Sequence, residues 1–274
     1  MHRFKRQFLS GPYIIWVIGF VLLPILMILY YGITDSSGSV TLENITAIAN
    51  PVHLKSLFLS LKMALLCTVI CLILSYPVAM ILNSLHLKHQ SFVVFIFVLP
   101  MWMNCMLRVL AWQLLLSNNG IFNTILDTIG LPKLQLLYTP STVVFGMVYD
   151  FLPFMILPIY NAMDRIRTDI IDAARDLGAS QLQIFMKIIF PLTISGVLSG
   201  IIMVFVPALT SFVISNLLGG GKVLLIGNVI EQEFMQNMDW NMGSGLSIVL
   251  MIFVIASMAF MNSHNKDGEG TAVW

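Results

Sequence analysis

The hydrophobic positions of this chain are gathered into long continuous runs and do not alternate with polar positions. Six runs are long enough for a helix to cross a bilayer, which needs roughly 20 apolar residues. They lie at about 13–33, 57–83, 91–116, 141–163, 195–217 and 243–262. The stretches between them are rich in Gly, Pro, Asn and Ser, which are typical of loops. The pattern predicts an all-α integral membrane protein with six transmembrane helices.

The composition indicates burial in lipid and excludes an ordinary soluble domain. Hydrophobic residues make up 58% and charged residues 10% of the 274 positions, and the mean hydropathy is +0.91. Unpaired backbone groups are costly in hydrocarbon, so only helix bundles and closed barrels span a bilayer, and continuous apolar runs favour the bundle. The run 13–33 is too long for a signal-peptide core and is interpreted as a retained helix. We expect a single transmembrane domain over residues 1–274.

Lysine and arginine are distributed unevenly between the two sides of the predicted membrane. Nine lie in segments on the side of the N-terminus, and three lie in the opposite loops. Cytoplasmic loops are enriched in these residues, so both termini and the segment 164–191 are predicted to be cytoplasmic. The net charge of +1 gives no reason to expect nucleic acid as a partner. Cys67 and Cys71 could share a helix face, but no histidine or carboxylate joins them, and we expect no metal site.

The segment 164–191 is polar, although it separates two of the most hydrophobic runs. Thr168 is the predicted N-cap of a first short helix. Gly178 suits the left-handed position just past a helix end, and Ser180 with Gln183 forms a capping-box pattern that starts a second helix. The predicted structure is therefore a helix, a glycine turn and a second helix.

Each helix of this hairpin carries an apolar stripe. The first stripe contains Ile166, Ile170, Ala173, Ala174 and Leu177, and the second contains Leu182, Phe185, Met186 and Ile189. Two interpretations follow from the residues alone. The hairpin lies on the bilayer as an interfacial element, or it docks into a groove on another protein.

Charged residues inside the predicted spans are candidates for function, because an acid at the bilayer centre is costly. Asp150 lies near the middle of the fourth run, and its aromatic neighbours suit an ammonium group by ion pairing and cation–π contact. The alternative is a structural ion pair with Arg108, for which a structural or gating role is expected. The candidate pathway residues are Asp150, Tyr149, Phe154, Tyr160 and Trp102.

The hairpin sequence DAARDLGASQLQIFMKIIFP resembles the EAA loop of ABC-transporter permeases. Asp172, Ala173 and Ala174 match the opening triplet, Gly178 matches the glycine, and the motif closes with Ile188 and Pro191. Asp172 replaces the usual glutamate, and Phe190 replaces the usual leucine. The resemblance implies that these residues form a coupling helix that docks into a cytoplasmic ATPase subunit.

Further stretches, among them NNGIFN, VFVPAL and LLIGNVIEQEF, are similar to permeases of spermidine/putrescine importers of the PotB type. This resemblance implies the type I, MetI-like permease fold and ATP-driven uptake of polyamines. It also implies a PotC-type sister permease, two PotA-type ATPase subunits and a PotD-type extracytoplasmic binding protein. Permeases for sulfate, ferric iron or other organic cations share some of these stretches, so another solute remains an alternative.

The energy source is not expected on this chain. The stretch GGGKV resembles a phosphate-binding loop, but Val223 follows the lysine where Ser or Thr is required, and Asn216 stands in place of the first glycine. ATP and Mg²⁺ are therefore expected on a partner ATPase, with no cofactor here. The spans lack the HExxH and GxSxG patterns of membrane-embedded enzymes. A proton-driven secondary transporter, with Asp150 as relay, is a further alternative.

Overall fold

The computed structural model describes residues 11–84 and 99–269, and helices dominate this part of the chain. The helices are α1 (Gly11–Val17, the π-helical turn Ile18–Leu22 and Leu23–Gly32), α2 (Glu43–Thr46), α3 (Pro51–Ser84), α4 (Cys105–Leu116), α5 (Ile121–Thr128), α6 (Pro140–Asp164), α7 (Thr168–Asp176), α8 (Gln181–Ile184, the π-helical turn Phe185–Ile189 and Phe190–Thr210), α9 (Val213–Gly219), α10 (Ile226–Met235) and α11 (Trp240–Glu269). Short 3₁₀ turns lie at Ala47–Ala49 and Leu99–Trp102. The all-α fold class is thereby confirmed.

Five helices among the described residues are long and apolar enough to cross a membrane. They are Tyr13–Gly32, Pro51–Asn83, Pro140–Asp164, Gln181–Thr210 and Trp240–Ala259. These helices cover five of the six predicted runs. The apolar window of α6 has the largest share of residues buried inside the chain, whereas that of α1 has none. Near the end of α1, the Tyr31 ring lies tilted against Trp240 with centroids 6.3 Å apart.

The remaining predicted run, 91–116, lies partly outside the described residues. Within the described part, α4 begins only at Cys105, after the 3₁₀ turn Leu99–Trp102. Asn104 is the N-cap, and its side chain accepts hydrogen bonds from the backbone N–H groups of Met106 (2.8 Å) and Leu107. Asparagine is a strong N-cap because its oxygen satisfies these otherwise unpaired donors. The helix therefore does not run unbroken through this predicted run.

The fifth predicted run also has different bounds. Its helix, α8, begins at Gln181 within the hairpin and ends at Thr210, so residues 211–217 do not continue it. The Asn228 side chain donates to the Phe212 carbonyl at 3.1 Å and to the Asn216 side-chain oxygen at 2.7 Å. This amide satisfies polar groups that the break exposes, which allows α9 to form as a separate helix.

The chain divides into two compact units. The described residues of Met1–Lys55 and Val229–Ile255 form the first. In it the side-chain amides of Asn44 and Asn241 both donate to the carbonyl of Thr34, at 2.8 and 2.6 Å. These two bonds fix the backbone where α1 ends. The prediction of a single permease domain stays a prediction.

The described residues of Ser56–Asn228 and Ala256–Trp274 form the second unit. Its centre is the contact of α8 with α6, where two small residues allow close approach. A Cβ added at Gly196 would lie 2.6 Å from the Pro158 carbonyl oxygen, and one at Gly200 would lie 2.6 Å from the Met155 sulfur. Glycines spaced four apart allow helix backbones to pack closely in membranes. The partner of Gly196 and Gly200 is therefore a helix of the same chain.

Candidate functional site: a polar hairpin and a buried ion pair

The glycine turn between α7 and α8 has the geometry that the sequence predicts. Gly178 adopts a left-handed backbone with φ of +79°. Its N–H donates to the Arg175 carbonyl at 2.8 Å, and the Ala179 N–H donates to the Ala174 carbonyl at 3.0 Å. These two bonds form a Schellman motif, which closes a helix and reverses the chain direction. The turn is thus held by backbone bonds and by a residue type that tolerates positive φ.

The helix starts on either side of this turn are capped differently. The capping box is confirmed, because the Ser180 hydroxyl accepts from the Gln183 N–H (3.3 Å) and the Gln183 side chain accepts from the Ser180 N–H (2.8 Å). The predicted N-cap Thr168 is wrong, since Thr168 is the first residue of α7 and Arg167 occupies the cap position without a side-chain cap bond. An acid in the first turn, Asp169, takes the place of a cap in complementing the helix dipole.

An ion pair outside the membrane helices accompanies this start. The Arg167 side chain donates to the Asp169 carboxylate, with Nε to Oδ1 at 3.1 Å. This hydrogen bond lowers the pKa of Asp169 below its ordinary value. Both side chains are well exposed, so water weakens the interaction. Asp169 therefore remains ionised at neutral pH.

The EAA-like positions lie on the accessible side of the hairpin. The Asp172 carboxylate accepts from the Arg175 guanidinium of the same helix at 3.1 Å. Ala173 and Pro191 are exposed, and Ala174 and Ile188 are half-buried. Gly178 and Ile188 line a shallow cleft of about 300 Å³ with Leu177, Ala179, Gln183, Ile184 and Lys187. The hairpin thus brings Gly178 and Ile188 together at one surface.

Two leucines at the tip of the hairpin extend into solvent. Leu177 is 88% exposed and Leu182 is 71% exposed, although the sequence placed both in apolar stripes. The side chain that anchors the hairpin is Ile184, which is fully buried and lies outside the predicted stripe. A π-helical turn begins at Phe185, directly after Ile184, and an inserted residue rotates the faces of the helix that follows. This rotation explains why a regular helical period selected Leu182 in place of Ile184.

A cavity of about 410 Å³ lies between the hairpin and the ends of two membrane helices. Met80 and Asn83 of α3, Met163 and Asp164 of α6, and residues of the hairpin line it, namely Ile166, Thr168, Ile171, Asp172, Arg175, Gln181, Ile184 and Ile189. Asp172 and Arg175 therefore face space beside the helix ends as well as the outer surface. A cavity therefore separates part of the hairpin from the ends of α3 and α6.

The second candidate site lies inside the second unit. Arg108 of α4 forms an ion pair with Asp150 of α6, and their side chains are 7% and 8% exposed. The Cys105 thiol, one turn before Arg108, donates to the other Asp150 oxygen at 3.3 Å. The ion pair considered as the alternative for Asp150 is thus present. Cys105 was not connected to Asp150 by the sequence, because no spacing rule joins residues on different helices.

The other candidate pathway residues are spread along the chain. Tyr149 is exposed, and its ring packs edge-on against Trp112 with centroids 5.2 Å apart. Phe154 lies one turn beyond Asp150 and contacts Phe151. Tyr160 is buried near the far end of α6, and Trp102 is exposed on the 3₁₀ turn before α4.

The described residues thus contain five helices able to cross a membrane and a polar, exposed hairpin before the fifth predicted run. The sequence matches the family "Binding-protein-dependent transport system inner membrane component" over residues 3–264. The chain belongs to this family. It is therefore an inner-membrane permease subunit of an ABC importer, a transport component without catalysis of its own.

Two characterised relatives cover most of the chain. It is 39% identical over 247 residues to the spermidine/putrescine transport system permease protein PotB of Haemophilus influenzae, covering 87% of this chain and 86% of the relative. It is 40% identical over 245 residues to PotB of Escherichia coli (strain K12), covering 86% and 89%. The resemblance to PotB-type permeases is thereby confirmed.

Solved structures support the fold. A chain of a bacterial ABC transporter involved in the import of the acidic polysaccharide alginate superposes with a TM-score of 0.77 at 15% identity, covering 99% of this chain and 97% of that chain. A chain of the MetNI methionine ABC transporter superposes with a TM-score of 0.52 at 15% identity, covering 80% and 96%. The type I, MetI-like permease fold is confirmed, and at these identities the likeness shows the fold alone.

Proposed function

We propose that this chain is the permease subunit of an ATP-driven importer of polyamines such as spermidine and putrescine. The observation that carries the proposal is the identity of about 40% to two PotB proteins over most of both chains. The alternatives of another solute or of proton-driven uptake have no comparable support.

In this proposal the complex contains a PotC-type sister permease, two PotA-type ATPase subunits and a PotD-type extracytoplasmic binding protein. ATP and Mg²⁺ bind to the ATPase subunits and not to this chain. ATP binding draws the two ATPases together, and the permeases rock from an inward-facing to an outward-facing state. Both termini and the hairpin lie in the cytoplasm, as the distribution of lysine and arginine predicts.

The hairpin is the docking element in this proposal. Asp172, Ala173, Ala174, Gly178, Ile188 and Pro191 form its EAA-like surface. The exposed leucines, Leu177 and Leu182, give it apolar side chains that a cleft on a partner can bury. Because the Schellman turn and the capping box fix the hairpin, little conformational entropy is lost on docking. These features favour docking over the interfacial alternative.

The polyamine assignment does not depend on Asp150. Its charge is balanced by Arg108, so an ammonium group would compete with the guanidinium for the Asp150 carboxylate. We propose that the pair holds α4 against α6, and that the exposed ring of Tyr149 presents the aromatic surface beside it. Phe154, Tyr160 and Trp102 remain candidate pathway residues.

Competition in a defined uptake assay tests the solute. The complete complex, reconstituted in proteoliposomes with ATP inside and the binding protein outside, is supplied with labelled spermidine. We expect unlabelled spermidine and putrescine to reduce the uptake of label and sulfate to leave it unchanged. Uptake of labelled sulfate or ferric iron in place of spermidine would refute the polyamine assignment and leave the permease assignment intact.

A further inference from the structure

Two buried hydroxyl groups join a membrane helix to the helix that leaves the hairpin. The Tyr76 hydroxyl of α3 is hydrogen-bonded to the Thr193 hydroxyl of α8. The two residues are 117 positions apart in the sequence. Tyr76 is buried and Thr193 is completely buried. A polar contact in such surroundings is costly to leave unpaired.

The other hydrogen bonds of Thr193 indicate which of the two hydroxyls is the donor. The Thr193 hydroxyl also lies 2.9 Å from the Ile189 carbonyl and 3.1 Å from the Phe190 carbonyl, and it donates its single proton back to this turn. Its oxygen then accepts the proton of the Tyr76 hydroxyl. Tyr76 is in this way bonded through Thr193 to the last residue of the π-helical turn Phe185–Ile189.

Aromatic packing brackets the same turn. The Tyr76 ring lies edge-on to Phe185, with centroids 5.4 Å apart, and tilted against Phe190 at 6.0 Å. Phe185 begins the π-helical turn, and Phe190 follows its last residue. One side chain of α3 therefore contacts both ends of the irregular turn and, through Thr193, its final carbonyl.

Both α3 and α8 contain features that favour bending close to this contact. Pro77 follows Tyr76 inside α3, and Pro191 follows the π-helical turn in α8. Proline removes a backbone donor, and prolines and π-bulges are where helices bend. In α8 these features lie between the hairpin and the membrane-spanning part. Movement of the hairpin would therefore bend α8 at this point unless a neighbouring helix holds it.

We propose that the Tyr76–Thr193 hydroxyl pair is the contact that holds the π-helical turn against α3, so that movement of the hairpin is transmitted to the membrane helices. Tyr76 and Thr193 are positioning residues, since they act on the geometry of α8 and not on the solute. The inference rests on the proposed function, because it assumes that the hairpin is driven by an ATPase.

The test compares ATP hydrolysis with uptake in the complete reconstituted complex. Tyr76→Phe and Thr193→Val each remove one hydroxyl and keep the shape of the side chain. Thr68→Val is the matched control, because the buried Thr68 hydroxyl donates to the Ala64 carbonyl within α3 itself. Thr193→Ser keeps the hydroxyl and should behave as wild type. The ratio of ATP hydrolysed to spermidine taken up is the readout, since a smaller amount of folded complex lowers both terms together.

We expect Tyr76→Phe and Thr193→Val each to raise this ratio by up to about five-fold, the factor by which one lost hydrogen bond shifts an equilibrium. We expect the double variant to raise the ratio no further than Thr193→Val alone, because Thr193→Val already removes the contact that Tyr76→Phe breaks. Wild-type ratios in both single variants, or a ratio in Thr68→Val equal to that in Thr193→Val, would overturn the inference.

The proposed function fails in a different way. If the wild-type complex hydrolyses ATP and takes up no polyamine, the function is wrong whatever the variants do. If the wild type and the variants all show the same ratio of ATP hydrolysed to spermidine taken up, only the proposed role of the Tyr76–Thr193 pair is wrong. Should Thr193→Val fail to assemble, Tyr76→Phe still decides the question, because it retains the aromatic contacts with Phe185 and Phe190.

Discussion

The guanidinium of Arg108 and the carboxylate of Asp150 meet in the interior of the second unit and join α4 to α6. Neither charge would be stable alone in these apolar surroundings, because burying an unpaired charge costs several kcal/mol of free energy. The pair therefore accounts for two charged residues inside predicted spans without requiring either one to contact the solute.

Removing one partner of this pair should destabilise the protein strongly. We expect Asp150→Asn and Arg108→Met each to cost about 3–5 kcal/mol, as breaking a buried ion pair does. The loss appears as a lower midpoint of thermal unfolding for the purified protein in detergent. Unchanged midpoints in both single variants would show that the pair does not contribute to stability.

Replacing both partners separates the two roles considered for Asp150. In the double variant Arg108→Met, Asp150→Leu no charge is left unpaired, and we expect most of the stability to return. If the pair serves structure alone, spermidine uptake returns as well. A double variant that unfolds like wild type but takes up no spermidine would show that the pair has a role in transport beyond stability.

Gly178 should tolerate some side chains and not others. An added Cβ meets no other atom within 4 Å among the described residues, so the cost comes from the positive φ and not from crowding. We expect Gly178→Val to distort the turn and to weaken binding of the ATPase subunit, measured by co-purification. Gly178→Asn is the control, because asparagine adopts the left-handed region more readily. Equal loss in both variants would contradict this explanation.

The exposed leucines should matter for docking and not for folding. We expect Leu177→Ser and Leu182→Ser each to weaken ATPase binding about ten-fold or more, since burial of a leucine contributes roughly 1.5–3 kcal/mol. Leu131→Ser is a matched control, because Leu131 is 50% exposed in a segment predicted to lie on the side of the membrane opposite the cytoplasm. Affinity in all three variants equal to that of wild type would remove these leucines from the interface.

Close packing of α8 on α6 predicts an effect of a single methyl group. We expect Gly196→Ala to destabilise the chain by about 1–3 kcal/mol, as overpacking of a tight contact does. Gly19→Ala in α1 is the control, because a Cβ there meets no described atom within 4 Å. Equal unfolding midpoints for the two variants would mean that the helices separate easily at this contact.

The local features of the chain were predictable where a short-range rule applies. The glycine turn at Gly178 and the capping box at Ser180 depend on residues within five positions of each other, and both are present as predicted. The five long apolar helices follow from composition and length. Asn104 was a visible capping signal, but it was overlooked inside an apolar run.

Other features could not be predicted because they depend on contacts between distant helices. The Tyr76–Thr193 bond and the Cys105–Asp150 contact join residues with no periodic relation. The π-helical turn Phe185–Ile189 changes the face that α8 presents, so a regular helical period misassigned the anchor Ile184. The pairing of Arg108 with Asp150 is one of the two alternatives that the sequence predicts for Asp150.

The most direct test of the account is ATP-driven spermidine uptake by the complete complex in proteoliposomes. We predict uptake that requires ATP and the ATPase subunits, is competed by putrescine, and is lost when Gly178→Val replaces the wild-type chain. Spermidine uptake that continues without the ATPase subunits and collapses when an uncoupler is added would contradict the account and indicate a proton-driven transporter.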